Sequence, residues 1–164
     1  MNIKTEQVSN LLDDGNKDIV VWGDSYATGI ELIDNQHKEL VRLTNQLYHA
    51  CLAGSETMET VFKTAMSQMV EYVRFHFTAE LELLKRINYP AYHDHKKQHD
   101  TLVMNILEAS KEFGVGKKFV AHSFVRTLKD WVFSHIAFSD KLYATYVNEQ
   151  KGKGLLTDQQ ILGN

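Results

Sequence analysis

His76 and Glu80 stand four residues apart, and His95 and His99 repeat the interval, in a chain of 164 residues with eight histidines. On a helix each such pair sits one above the other, about 6 Å apart along the axis, so both side chains can hold one metal ion or bridge two adjacent ones. His37 and His135 fall on the apolar stripes of two further segments, which brings the inward imidazoles to five. A single buried histidine is readily satisfied by hydrogen bonds. Five in one small core are not, because each unpaired polar group costs a few kcal/mol against a total stability of roughly 5–15 kcal/mol. A shared metal site satisfies all five together.

Asp140 is the irregular candidate, since it lies five residues after His135, about 140° round an ideal helix. If both side chains reach one site, the helix must be distorted near Phe138 to Asp140, as a π-bulge would do. The candidate set is then His37, His76, Glu80, His95, His99, His135 and Asp140. The single cysteine, Cys51, excludes sites built on two or more thiolates, and nitrogen with carboxylate suits iron, manganese or zinc. Seven ligands exceed what one tetrahedral or octahedral ion can use. Two ions bridged by carboxylates match the count.

The elements that must position these residues emerge from apolar spacings that alternate between three and four from Ile33 onward. A first helix is predicted from Glu31 to Ala53, with Ile33, His37, Leu40, Thr44, Leu47 and Cys51 on its stripe. A second carries Phe62, Ala65, Met69, Tyr72, His76, Leu83 and Ile87 and stops before Pro90, which opens the next helix rather than continuing this one. The third places Tyr92, His95, His99, Leu102, Ile106 and Phe113 together and ends at Gly114 and Gly116. The fourth runs from Lys117 to Asn148, with Val125, Leu128, Val132, His135, Ser139 and Leu142 aligned. Four long helices with short connections predict an all-α, up-and-down antiparallel four-helix bundle with an N-terminal extended arm. The expected organisation is a flexible arm over 1–18, the bundle over 19–148 with Ile19 to Trp22 packed on it, and a loosely held tail over 149–164. His49, His93 and His122 fall off the stripes and are expected at the surface with Glu82, whereas Cys51 is expected to be a small core residue.

Composition narrows the function classes. Eighteen Lys and Arg against 21 Asp and Glu give a net charge of −3, with no basic run of the kind that binds nucleic acid. No segment approaches the roughly 18 consecutive apolar residues that span a bilayer, and the first residues lack the pattern of a secretory leader. A cytoplasmic location is expected, with no nucleic-acid partner and no membrane span.

The chain resembles the hemerythrin family, in particular its single-domain bacterial members, over Trp22 to Tyr146. The resemblance is carried by Trp22 with Gly29, IDNQH ending at His37, FHFTAE with His76 and Glu80, YP at Tyr89 and Pro90, HKKQH with His95 and His99, and WVFSHIAFSD with His135 and Asp140. Leu81 stands where the family often has a second acid and Leu84 where methionine is common; neither position is a ligand. The resemblance implies a non-haem di-iron centre in which His95, His99 and His135 hold one iron and His37 and His76 the other. Glu80 and Asp140 would bridge them together with an oxo or hydroxo group. The two-histidine iron would keep an open position for dioxygen, whose binding draws two electrons from the irons and a proton from the bridge. The implied role is reversible oxygen carriage, storage or delivery, not an enzyme, with an oxygen-consuming enzyme as recipient. The alternatives are an oxygen or iron sensor and an enzyme acting on nitric oxide or peroxide. Five histidines to two acids weigh against the latter, because oxygen-activating bundles use carboxylate-rich sets with Glu-x-x-His motifs. Apolar groups should wall the open position, with Val132 and Trp131 as candidates and Leu40 and Ile33 flanking His37. Trp22 is expected to pack the arm on the bundle.

Overall fold

The computed structural model describes residues 17–53 and 55–163, and all the regular elements among them are helical. The expected flexible arm lies outside the described residues up to residue 16. Four long helices form the body: α1 (Glu31–Leu52), α2 (Ser55–Arg86), α3 (Tyr92–Gly114) and α4 (Val120–Ser134). The chain continues from α4 through a π-helical turn, His135–Ser139, into α5 (Asp140–Gly152), and a short α6 (Asp158–Leu162) closes it. Each long helix packs on its neighbours in sequence and α4 returns to α1, the up-and-down bundle that short loops dictate.

The arm meets the bundle through backbone as well as side chains. Asn45 accepts from the Val20 amide at 3.0 Å and donates to its carbonyl at 2.8 Å, so a buried amide side chain pairs with the arm as a neighbouring strand would. Asp34, in the first turn of α1, accepts from the Thr28 amide and hydroxyl and from the Gly29 amide. That carboxylate stands where the helix dipole favours negative charge. Trp22 packs on the main core, with its ring 5.6 Å from that of Tyr26.

Two apolar clusters fill the interior. The larger includes Leu40, Leu47, Phe62, Met69, Phe77, Leu102, Phe113, Leu128 and Val132. The smaller joins Ile30, Ile33, Leu83, Leu84, Ile87, Tyr143, Val147 and Ile161. Along every helix the candidate ligands fall between a residue of one cluster and a residue of the other, so a polar layer crosses the bundle between two apolar ones.

The structure corrects three expectations. Leu142, expected on the core stripe, is 65% exposed, while Tyr143 is fully buried in its stead. The π turn inserts one residue and rotates the downstream helix by about 100°, which moves the stripe from Leu142 to Tyr143. The tail, expected to be loosely held, is instead built in from its first residues, since α5 extends to Gly152 and Ile161 of α6 is buried in the smaller cluster. Thr157 and Gln160 form a capping box at the start of α6, and Arg86 donates to the carbonyls of Gln160 at 2.8 Å and Ile161 at 3.1 Å. Gly163 ends α6 with φ at 79°, the left-handed conformation that favours glycine at a helix end. His49, finally, is not a solvated surface residue: its side chain is 10% exposed and lies 2.8 Å from Asp18. His93 and His122 are exposed as expected.

Candidate metal centre

The seven candidate side chains converge in the polar layer, each at most 3% exposed. Six of them form two groups whose donor atoms lie within 4.8 Å of one another, Glu80 with His95, His99 and His135, and Glu80 with His37 and His76. Glu80 belongs to both. Its Oε2 is 3.2 Å from His95 Nε2 and 3.0 Å from His99 Nε2, and its Oε1 is 3.8 Å from His37 Nε2. Asp140 spans the same gap from the other side: Oδ2 is 3.2 Å from His37 Nε2, and Oδ1 is 3.1 Å from His135 Nε2. The π turn makes this possible, because it brings Asp140 onto the face that His135 occupies.

The donor set fits metal. His37 Nε2, His76 Nε2 and both oxygens of Asp140 are buried and make no hydrogen bond among the described residues, at a cost that a folded core does not normally tolerate. His99 Nε2 and His135 Nε2 face each other at 2.9 Å. With metal–nitrogen bonds near 2.1 Å, adjacent ligands of one octahedral ion lie about 3 Å apart, which is the spacing found here.

Other side chains fix the ligands. Gln36 Oε1 lies 2.9 Å from His76 Nδ1, and Gln98 Oε1 lies 2.9 Å from His135 Nδ1 while accepting from Ser139 Oγ at 2.7 Å. Each bond sets the ring orientation and leaves Nε2 for the centre. Tyr143 donates to Glu80 Oε1 at 2.5 Å. Sequence reasoning misses these three supports. A clue exists, since Gln36 and Gln98 each directly precede a candidate histidine, but each serves a histidine on another helix. The Phe77 ring stacks on His99 with centroids 3.6 Å apart, and Trp131 stacks on His135 at 4.2 Å. Trp131 therefore lines the three-histidine group, not the two-histidine side whose open position it was expected to wall. The ring closing on His37 from outside is Trp22, at 6.5 Å, while Ile33, Leu40 and Val132 are buried as expected.

Electrostatics divide the histidines. Burial disfavours charge on His76 and holds its pKa down to about 3. Burial opposes the charge on His37 as well, but the close Asp140 carboxylate together with Glu80 outweighs it, and the pKa is raised. Burial likewise opposes the charge on His95, and Glu80 outweighs it there to raise the pKa. Burial works against ionisation of Glu80 too, and the surrounding His76, His95 and His99 overcome it to hold the carboxyl well below its ordinary value. The centre is therefore an anionic pair of carboxylates wrapped in imidazoles.

Comparison with known proteins agrees with this geometry. A family profile described as the hemerythrin HHE cation binding domain matches residues 28–147. A bacteriohemerythrin of Pseudomonas aeruginosa is 32% identical over 128 residues, 78% of this chain and 81% of its own. Another, from Stenotrophomonas maltophilia, is 28% identical over 79% of this chain and 82% of its own. Among solved structures, a wild-type hemerythrin crystal structure superposes with a TM-score of 0.71 at 26% identity, covering 77% of this chain and 96% of that one.

Proposed function

The chain belongs to the hemerythrin HHE cation-binding family, and from that premise we propose that it binds dioxygen reversibly at a non-haem di-iron centre. His95, His99 and His135 would hold one iron, His37 and His76 the other, and Glu80 and Asp140 would serve both. The observation that carries the assignment is the buried cluster of donor atoms that divides into a three-histidine and a two-histidine group sharing Glu80, with His37 Nε2, His76 Nε2 and both Asp140 oxygens left without hydrogen-bond partners. Two bound irons supply the two electrons that reversible dioxygen binding requires. The protein contributes the surroundings. Three histidines on one side and two on the other would leave room for a further ligand beside His37 and His76. Leu40, Ile33 and Val132 keep that side dry, which protects a bound ligand from water and external reductants. Gln36 and Gln98 hold their histidines with Nε2 inward, so that little reorganisation accompanies loading.

No helix among the described residues is long and apolar enough to cross a membrane. The proposed role is that of an oxygen carrier, store or donor to an oxygen-consuming enzyme, with the cytoplasm as its proposed setting. The test is anaerobic loading with ferrous iron, metal counting, and visible spectra before oxygen, after oxygen and after its removal. Two irons per chain and a coloured adduct that bleaches on deoxygenation are expected. Two irons with irreversible oxidation would favour a sensor or an enzyme acting on nitric oxide or peroxide, and failure to load two ions would overturn the centre itself.

A further inference from the structure

The smaller apolar cluster contains a line of phenols that runs from the candidate centre to the surface. Tyr143 is fully buried and donates its hydroxyl hydrogen to Glu80 Oε1, and its ring lies 5.6 Å from that of His95. The next ring, Tyr89, has its centroid 6.2 Å from Tyr143 and 5.5 Å from Tyr146. Tyr89 and Tyr146 are both half-buried, so the line ends in solvent. Packing explains the rings but not the hydroxyl of Tyr143, since phenylalanine would fill the same space without placing a donor on a carboxylate shared by both groups.

Resting on the di-iron reading, we propose that Tyr143, Tyr89 and Tyr146 form an outlet for oxidising equivalents that spares the histidine ligands when hydrogen peroxide reaches the centre. The balance is one hydrogen peroxide and two phenols giving two waters and two phenoxyl radicals. The O–O bond and two phenolic O–H bonds break, and each phenol yields one electron and one proton. The proton of Tyr143 has a path along its hydrogen bond to Glu80. Electrons then pass inward ring by ring, from Tyr146 to Tyr89 and from Tyr89 to Tyr143, with protons exchanged to solvent at the half-buried phenols. At the surface a soluble thiol returns one electron and one proton to each phenoxyl, and two thiols end as a disulfide. The competing outlet is Trp131, stacked on His135 and itself half-buried.

The experiment uses the full chain loaded with two ferrous ions, checked for reversible oxygen binding, then treated with hydrogen peroxide and frozen for electron paramagnetic resonance. Oxidised histidine is quantified by peptide mass spectrometry on the same samples. A tyrosyl signal is expected in the unaltered protein and is lost in Tyr143→Phe, with ligand oxidation rising several-fold. Tyr89→Phe, which keeps the ring between Tyr143 and Tyr146, should keep its iron and its oxygen spectrum yet also show several-fold more ligand oxidation. A signal of tryptophan type that survives both substitutions and disappears in Trp131→Phe would overturn the proposal, as would unchanged ligand oxidation in Tyr89→Phe. Reversible oxygen binding without any tyrosyl signal would sink the outlet alone, whereas failure to load iron would sink it together with the di-iron reading.

Discussion

Gln98 Oε1 takes hydrogen bonds from two donors four residues apart, the ring of His135 and the hydroxyl of Ser139, so one side chain ties a ligand's orientation to the backbone after it. Gln98→Leu keeps the volume and removes both bonds. It should weaken metal retention by about 10–100-fold, the usual effect of losing such a partner, with helicity unchanged; competition against a chelator reads the first and circular dichroism the second. The charge pattern makes a second prediction. His37 and His95, whose pKa values are raised in the metal-free fold, retain protons to higher pH than an ordinary imidazole, and ions must displace them. Loading near neutral pH should therefore release protons, and apparent affinity should rise with pH through that range. His76, held to about 3, is already neutral there and releases none. An indicator dye in weak buffer measures the release, and pH-independent affinity would contradict it. Among single residues, the donors were legible in the sequence and their supports were hidden. Spacing within one helix identifies His95 with His99, whereas Gln98 with His135 is a pairing across helices that no local interval encodes.

The π turn, His135–Ser139, is the element on which the centre depends. It was legible in one respect, because a five-residue interval between His135 and Asp140 cannot put two side chains on one face of a regular helix. It was hidden in another, because a stripe of threes and fours runs on through Ser139 to Leu142 unless the inserted residue is subtracted. Deleting Ala137 leaves Asp140 four residues after His135, so an ordinary helix should then keep Asp140 and Tyr143 on the inward face. The expected result is two ions per chain by elemental analysis with the helix content retained. Loss of an ion in the deletion variant would show that the π geometry itself, and not only the face it presents, is required. The helices themselves were readable because their apolar faces and terminating residues agree. The C-terminal element was not, since α6 is five residues long and is stabilised by Arg86, which lies 74 positions before Gln160 in the chain.

For the whole molecule, the arrangement of two apolar clusters around a polar layer sets how stability is shared. The smaller cluster depends on its C-terminal contribution: Ile161 is buried, and burying such a side chain is worth about 1.5–3 kcal/mol at most. A chain truncated after Lys153 should lose part of that, lowering Tm by a few degrees, about 2–4 °C per kcal/mol for a protein of this size. Scanning calorimetry of the metal-free protein measures it, and an unchanged Tm would show α6 to be merely resting on the bundle. The bundle architecture was foreseeable because each helix carries its own pattern. Which end of the molecule the tail would close was not, because that depends on a cluster assembled only after folding. The ligands of the polar layer come from four helices and reach from His37 to Asp140, a separation of 140 − 37 = 103 residues. Ions held there join distant parts of the chain as a covalent cross-link does, and closing a loop of that length removes conformational entropy worth about 5 kcal/mol from an unfolded chain that keeps the link. A chelator would then act on this fold as a reductant acts on a disulfide-bonded one, releasing the whole loop at once.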